Sequence, residues 1–218
     1  MNKLVSSVSK LLNIKKTEIV LNLKKYRGEI VVIKYGGSAM LDPKLSSSFV
    51  SNIEVLVKSG IYPVIVHGGG PQINQVLSSM KIEHKFYKGM RVTDDLTFKI
   101  VEMVLSGSIN KNISLDLSKK NINSIGISGY DSKLIQAKKY IMREGGKLID
   151  LGNVGIPVSL NNKFLINLLK NNIVPVIAPI GFNKRGKKFN INADLTAGFI
   201  AHELKARRLL MLTDVQGV

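Results

Sequence analysis

Residues Glu29 to Met40 read EIVVIKYGGSAM, and the interpretation of the remaining sequence starts from this stretch. The run from Ile30 to Ile33 is apolar, β-branched and bounded by turn residues, which predicts a short buried strand. Lys34 follows at the carboxyl end of that strand, where open α/β sheets form their ligand crevices. Gly36 and Gly37 lack a Cβ, so their amides can approach a bulky anion. A fixed cation beside exposed amides suits phosphoryl transfer, although a plain strand and glycine turn with a surface lysine would have the same sequence.

A second glycine-rich junction occurs in YPVIVHGGGPQIN. Tyr62 to Val66 predicts another buried strand, and three glycines and a proline then lead into a helix. Since the first amides of a helix are unpaired and the macrodipole is positive there, this junction predicts an anion site. His67 is interpreted as structural, because no second histidine stands at metal-ligand spacing.

The segment from residue 82 to 93, IEHKFYKGMRVT, predicts a β-hairpin that turns near Lys88 and Gly89. Its second strand carries Arg91, which could clamp a carboxylate or could be an ordinary solvated charge. Asp94 then predicts the cap of a long helix, with Gly107 as a break before a second helical stretch. Ile122 to Ile127 predicts another short strand, and the region from there to about Pro157 predicts surface hairpin structure without evident chemistry.

The stretch FNINADLTAGFIAHELKA holds the last candidate residues. Asn190 and Asn192 alternate with apolar residues, so both are expected on one side of an extended segment. Asp194 stands at a helix start, where it could orient lysines of a site or only cap the helix.

Composition limits the possible functions of the chain. It has 218 residues, 44% of them hydrophobic and none a cysteine, which suits a globular protein without a disulfide framework or thiolate metal site. No apolar run approaches the roughly 18 residues that span a membrane. The formal charge of +17 is spread along the chain without aromatic interleaving. This charge is therefore interpreted as compositional and helpful toward anionic substrates, and neither nucleic acid nor membrane is expected as a partner.

Several catalytic motifs are absent from the sequence. There is no GxxxxGK[ST] sequence of a P-loop kinase, no GxGxxG, no HExxH and no G-x-S-x-G elbow. Strands that alternate with helices, together with two glycine-rich junctions, favour an α/β enzyme that handles phosphate.

The motifs IKYGGSAM, VIVHGGGPQIN, KGMRVTD, VEMVLSGSINK, DLGNVG, PVIAPIG, NINAD and LLMLTDVQGV occur in this order. With them the chain resembles, from Tyr26 to Val218, the N-acetyl-L-glutamate kinases of the amino acid kinase family. The resemblance implies a three-layer αβα sandwich with a mainly parallel sheet. It divides the chain into a helical extension (1–27), an N-acetylglutamate-binding lobe (28–180) and the start of an ATP-binding lobe (181–218). The implied reaction is ATP-dependent phosphorylation of the γ-carboxylate of N-acetyl-L-glutamate, in arginine biosynthesis.

The resemblance also implies roles at the matching positions. The residues are Lys34 and Asp194 for catalysis, Gly69, Gly70, Arg91 and Asn190 for substrate binding, and Gly36, Gly37, Thr213 and Asp214 for phosphate or nucleotide binding. Lys34 would stabilise the transferring phosphoryl group, Arg91 would clamp the α-carboxylate, and Asp194 would orient the lysines. Mg²⁺ would be held mainly by the nucleotide phosphates, so no metal-ligating residues are expected.

The family continues past the LTDV-x-GV motif into a segment with a second catalytic lysine and most of the adenine pocket. The 218 residues are therefore expected not to form a complete ATP site. Either the sequence is a fragment, or the protein has lost its ATP half. Two alternatives to the kinase reaction stay open, namely a non-catalytic remnant that binds the substrate and a related kinase with another acidic substrate. The resemblance further implies a homo-oligomer, dimeric or hexameric, in the cytoplasm or in a plastid stroma.

Overall fold

A computed structural model describes residues 5, 6, 9 and 14–212 of the chain, without the side chain of Ser38. Its strands are β1 (Ile30–Tyr35), β2 (Tyr62–His67), β3 (Phe86–Tyr87), β4 (Met90–Arg91), β5 (Ser124–Ser128), β6 (Ile135–Lys139), β7 (Met142–Glu144), β8 (Lys147–Ile149), β9 (Val154–Leu160), β10 (Val174–Ala178), β11 (Ile180–Phe182), β12 (Lys188–Ile191) and β13 (Arg208–Met211). Its α-helices are α1 (Lys16–Lys25), α2 (Pro43–Lys58), α3 (Gly70–Ser79), α4 (Asp95–Glu102), α5 (Asn110–Ser118), α6 (Asn162–Lys170) and α7 (Ala193–Glu203).

The centre of the fold is a five-stranded sheet in the order β13-β1-β2-β10-β5, and every neighbouring pair is parallel. Alternate residues of β1 enter two different cores. Val31 and Ile33 belong to the core under α2 to α5, whereas Val32 belongs to the core under α6 and α7. Successive side chains of a strand point to opposite faces, so a sheet buried on both faces needs a continuous apolar run. This arrangement confirms the predicted α/β fold with a parallel central sheet between helical layers.

The register of β1 and β2 brings the two glycine junctions together. Lys34 is opposite Val66 and Tyr35 is opposite His67, so both strands end at the same level. The amide of Gly68 donates to the carbonyl of Tyr35 across 2.7 Å. The two predicted anion-binding loops are therefore neighbours at one edge of the sheet.

A small closed barrel, formed by β6, β9, β12 and β11, lies beside the central sheet. Between the strand predicted at Ile122 to Ile127 and about Pro157 the sequence predicted surface hairpin structure, and a hairpin of β7 and β8 is indeed present. However, β9 pairs with β12, which places Asn190 opposite Val154. The prediction that this region carries no chemistry is therefore incomplete, since β9 supports a strand with a candidate site residue.

The expected helix break at Gly107 is wrong. Between α4 and α5 the chain continues without interruption through a π-helical segment, Met103–Ile109. Leu105 and Ile109 of that segment are buried. Their burial outweighs the roughly 1 kcal/mol that a glycine costs inside a helix.

Two predictions fall largely or wholly outside the described residues. The helical extension over 1–27 is described only from residue 14 onward, apart from residues 5, 6 and 9, and it includes α1. Thr213 and Asp214 are not described. In the part of the chain that is described, no helix combines the length and apolar character needed to cross a membrane.

Candidate active site

A cleft of about 260 Å³ lies at the carboxyl ends of β1 and β2 and reaches to the β3–β4 hairpin. The predicted site residues that line it are Lys34, Gly36, Gly37, Gly69, Gly70, Arg91, Asn190 and Asp194. These residues come from separate parts of the sequence, and the parallel sheet brings them together. The expectation that ligand residues gather at strand ends therefore matches the observed positions.

Lys34 and Asp194 form an ion pair in the cleft. Nζ of Lys34 lies 3.1 Å from Oδ1 of Asp194. The lysine side chain is 16% exposed and the aspartate side chain 51%, so the pair is open to the cleft on its acidic side. A Cβ on Gly36 would lie only 3.2 Å from Cε and Nζ of Lys34, so the glycine leaves the space in which the ammonium sits. The pair fixes a cation beside the first glycine loop.

Asp194 does not cap its helix. The N-cap of α7 is Asn192, whose Oδ1 accepts from the amides of Asp194 and Leu195 at 2.8 and 3.1 Å. Asn192 therefore has the capping role that the sequence left open for Asp194. The carboxylate is left to pair with Lys34, and its position in the first turn of α7 is favourable for a negative charge.

The second glycine loop ends in an open helix terminus. Gly69 is the N-cap of α3 and, having no side chain, leaves the first-turn amides of the helix without a side-chain acceptor. Gly69 and Gly70 both line the cleft. Unpaired amides at a positive helix end attract anions. This geometry agrees with the anion site that the sequence predicts.

Gly69 is also a packing requirement. A Cβ at this position would overlap Cδ1 of Ile109 and lie 2.8 Å from Cδ2 of Leu105. We expect Gly69→Ala to lower the free energy of unfolding by about 1–3 kcal/mol, because both neighbours are buried and would have to shift. Urea denaturation measures the change.

Gly70→Ala is the matched control, since a Cβ at Gly70 meets nothing within 4 Å. Alanine is the better helix former by up to about 1 kcal/mol, so this variant should be as stable as the wild type or slightly more stable. Equal losses of stability in the two variants would contradict the packing argument.

Arg91 is a buried cation that lines the cleft. Its Nη2 donates to Oδ1 of Asn74 at 2.6 Å and to the carbonyl of Gly70 at 3.3 Å, while its Nη1 is buried without a partner. The guanidinium carbon lies 4.5 Å from the ring centre of Phe86, and burial lowers the pKa of Arg91 to about 10. Arg91 thus stays charged at neutral pH, yet no described carboxylate lies within ion-pair distance. An anionic ligand would supply the missing partner.

His67 lies beneath the second glycine loop, completely buried. Its Nδ1 is 2.9 Å from the carbonyl of Gly68, which can only accept, so Nδ1 carries the proton. Nε2 then accepts from Nδ2 of Asn110, which also reaches the carbonyl of Val176 at 2.9 Å. Burial lowers the pKa of His67 to about 4. The residue is therefore neutral and holds the glycine loop on the sheet, which agrees with the structural role expected from the sequence.

The depressed pKa of His67 predicts acid sensitivity. The unfolded histidine binds a proton with a pKa near 6.5 and the folded one only near 4, so the unfolded state takes up more protons between these values. Stability is complete above pH 6.5 and is lost as the pH falls through this window. We expect a loss of about 2 kcal/mol between pH 7 and pH 5, measured by urea denaturation at both values.

His67→Gln should remove most of this pH dependence, because glutamine does not titrate. His202→Gln is the control, since His202 is exposed. A pH dependence unchanged in His67→Gln would assign the acid sensitivity to other groups.

Three residues of the site were not singled out from the sequence. Asn74 holds Arg91, whereas Thr93 and Asn153 connect the hairpin to the barrel through hydrogen bonds. Asn74 could have been found, since it is four residues after Gly70 in a predicted helix and so lies on the same face. Thr93 and Asn153 are 60 residues apart in sequence and had no local signal.

The arrangement has two cationic groups, one at each glycine loop, and uncapped amides beside them. It can hold a ligand with a carboxylate near Arg91 and a transferring anionic group near Lys34. Among the described residues, no group of three or more His, Asp or Glu side chains could hold a metal ion. The charged residues that line the cleft are Lys34 and Arg91, which are positive, and Asp194, which is negative.

Comparison with known proteins identifies the family. The model of the amino acid kinase family matches residues 29–218. The acetylglutamate kinase of Clostridium acetobutylicum is 48% identical over 196 residues, which cover 90% of this chain and 66% of that protein. The acetylglutamate kinase of Caldicellulosiruptor saccharolyticus is 43% identical over 218 residues, covering 100% of this chain and 73% of that protein. The chain thus spans about two thirds of the length of these relatives.

Solved structures agree in fold. A Streptococcus mutans protein, 31% identical, superposes with a TM-score of 0.76 over 87% of this chain and 74% of its own. An isopentenyl phosphate kinase, 19% identical, superposes with a TM-score of 0.57 over 87% of this chain and 75% of its own. The chain therefore belongs to the amino acid kinase family and, within it, to the acetylglutamate kinases.

Proposed function

We propose that the protein phosphorylates the γ-carboxylate of N-acetyl-L-glutamate with ATP, giving N-acetyl-L-glutamyl 5-phosphate and ADP, as a step of arginine biosynthesis. The names of the relatives support this reaction. The observation that carries it is the buried guanidinium of Arg91, which lines the cleft without a carboxylate partner among the described residues. Because a buried charge is costly unless it is paired, an anionic ligand bound next to Arg91, in the same cleft as Lys34, would be stabilised.

Arg91 binds the α-carboxylate of the acyl amino acid, with Asn74 holding the guanidinium in place. The amides of Gly69 and Gly70 hold the γ-carboxylate end at the terminus of α3, and Asn190 hydrogen-bonds the substrate. The γ-carboxylate then points along the cleft toward Lys34. This placement is supported by the positions of Lys34 and Arg91, which line the same cleft from different strands.

Lys34 acts on the phosphoryl group. As a carboxylate oxygen attacks the γ-phosphorus and ADP departs, negative charge lies on the oxygens of the group in transit. The ammonium of Lys34 and the amides of Gly36 and Gly37 stabilise that charge, and Asp194 orients the lysine through the 3.1 Å ion pair. ATP supplies the phosphoryl group, and Mg²⁺ would be held mainly by the nucleotide phosphates. Thr213 and Asp214 are proposed to contact the nucleotide.

We further propose that residues 28–180 form the N-acetylglutamate-binding lobe and that the ATP-binding lobe begins at residue 181, after the extension 1–27. A homo-oligomer is proposed as well, supported by the exposed apolar side chains of Leu96 and Leu115 on α4 and α5. We propose the cytoplasm as its location and neither nucleic acid nor membrane as a partner. Sedimentation velocity would test the oligomer, and a monomer at micromolar concentration would contradict it.

Two measurements test the reaction. Calorimetry should show that this chain binds N-acetyl-L-glutamate and discriminates against L-glutamate, which lacks the acyl group. The protein expressed from its complete reading frame should release ADP only with the acyl amino acid, and hydroxylamine should trap the acyl phosphate as a hydroxamate. Binding without turnover would favour a substrate-binding remnant, and turnover with a different acidic acceptor would favour a related kinase.

A further inference from the structure

Thr93 lies between the two polar residues proposed to bind the substrate. It is completely buried, so it cannot itself touch a ligand. Its Oγ1 donates to the carbonyl of Arg91 at 2.7 Å and accepts from Nδ2 of Asn190 at 3.3 Å. One hydroxyl thus joins the hairpin that carries Arg91 to the barrel strand that carries Asn190.

The main chain around Thr93 fixes the position of that hydroxyl. The amide of Thr93 donates to the carbonyl of Leu151 at 2.9 Å, and the carbonyl of Thr93 accepts from the amide of Asn153 at 2.6 Å. The carbonyl of Asn153 in turn accepts from the amide of Asn190 at 2.8 Å. The backbones of Thr93 and Asn190 are therefore held by the same short segment, and the hydroxyl has little freedom to move relative to the amide.

The direction of the hydrogen bonds follows from the chemistry of the groups. A main-chain carbonyl can only accept, so the single hydroxyl hydrogen of Thr93 is committed to Arg91. Toward Asn190, Oγ1 is then left as an acceptor only. The side-chain amide of Asn190 must present its NH₂ group to Thr93, and its Oδ1 points away. Only one of the two flipped orientations of the amide is compatible with this pattern.

We propose that Thr93 is a positioning residue, whose buried hydroxyl links the Arg91 carbonyl to the Asn190 amide and holds that amide in one orientation toward the bound acyl amino acid. This inference rests on the proposed function, because it assigns Asn190 to the substrate. Thr93 acts through Asn190 and makes no contact with the ligand. Loss of the hydroxyl frees the amide to flip and leaves a buried carbonyl unpaired.

Calorimetric binding of N-acetyl-L-glutamate tests the inference. Thr93→Val, which keeps the shape, should weaken binding about tenfold, because the Asn190 amide is no longer held in one orientation before the ligand arrives. Thr93→Ser should restore most of the affinity. Thr97→Val is the control, because Thr97 is a buried threonine in the first turn of α4 whose side chain hydrogen-bonds to Asp94 rather than to a cleft residue. It should lower stability and leave the affinity unchanged.

A double-mutant cycle separates positioning from general destabilisation. In the background of Asn190→Ala, which itself weakens binding, Thr93→Val should cause no further loss of affinity, because the residue through which it acts is absent. Fully additive losses in the double variant would overturn the inference. Unchanged affinity in Thr93→Val alone would overturn it as well.

The orientation of the amide can be measured without a ligand. The side-chain NH₂ signal of Asn190 in a ¹⁵N–¹H spectrum, assigned by its loss in Asn190→Ala, should shift in Thr93→Val and stay in place in Thr93→Ser. A signal unmoved by Thr93→Val would disprove the link even if the substrate binds. If the signal shifts in Thr93→Val as expected but the wild-type chain binds no N-acetyl-L-glutamate, the proposed substrate fails, and the role of Thr93 toward it is overturned with it.

Discussion

Replacing Arg91 by methionine is expected to weaken the binding of N-acetyl-L-glutamate roughly a thousandfold, which corresponds to about 4 kcal/mol. Arg91 is 6% exposed, and its guanidinium is held in place by the side-chain oxygen of Asn74 at 2.6 Å. Most of its surface is already shielded from water in the free protein, so a bound carboxylate meets a preorganised, poorly screened charge. Methionine keeps much of the apolar stem and removes that charge. Calorimetry on the wild type and the variant measures the difference.

Two further variants make this test specific. Arg91→Lys keeps a positive charge but loses the planar fork, so its affinity should fall between those of the wild type and Arg91→Met. Arg143→Met removes an exposed arginine from β7 and should bind like the wild type. If Arg91→Met is folded, with a cooperative thermal transition, and still binds within threefold of the wild type, Arg91 is not the carboxylate clamp.

The sequence predicted two neighbouring strands of the central sheet, β1 and β2, and the glycine loops after them, because their signals are local. A β-branched run such as Ile30 to Ile33 leaves few alternatives to a doubly buried strand, and glycines at its end need space or exposed amides. Once the strands are parallel neighbours, their carboxyl ends meet at one edge. Lys34 and the loop at Gly69 could therefore be expected in a common cleft from the sequence alone.

The remaining parts of the site depend on contacts between distant segments. The barrel pairs β12 with β9 and β6 with β9, and the alternation of apolar residues in one strand does not name its partner. Thr93 meets Asn190 only because that barrel forms, at a separation of 97 residues. Likewise, Gly107 predicts a helix break from local propensity, and only the packing of Leu105 and Ile109 on Gly69 explains why the helix continues.

Replacing Lys34 by methionine is expected to lower kcat by roughly a thousandfold or more, with little change in the KM for N-acetyl-L-glutamate. The reason is that the proposed role of Lys34 concerns charge that develops on the transferring phosphoryl group, and such an interaction is stronger in the transition state than in the ground state. The ammonium lies 3.1 Å from Oδ1 of Asp194 and occupies the space that the absence of a Cβ at Gly36 leaves. Steady-state kinetics of ADP release, with the protein expressed from its complete reading frame, measures both constants.

Lys58→Met is the matched control, since Lys58 also pairs with one carboxylate, that of Glu54, but on the exposed face of α2. It should leave both constants unchanged, because exposed pairs of this kind are worth at most about 1 kcal/mol of stability. Asp194→Asn should lower kcat less than Lys34→Met does, because it disorders the cation without removing it. A Lys34→Met enzyme that keeps its kcat but raises the KM would show that Lys34 binds the ground-state substrate, and the phosphoryl-transfer role would then have to be assigned to another cation.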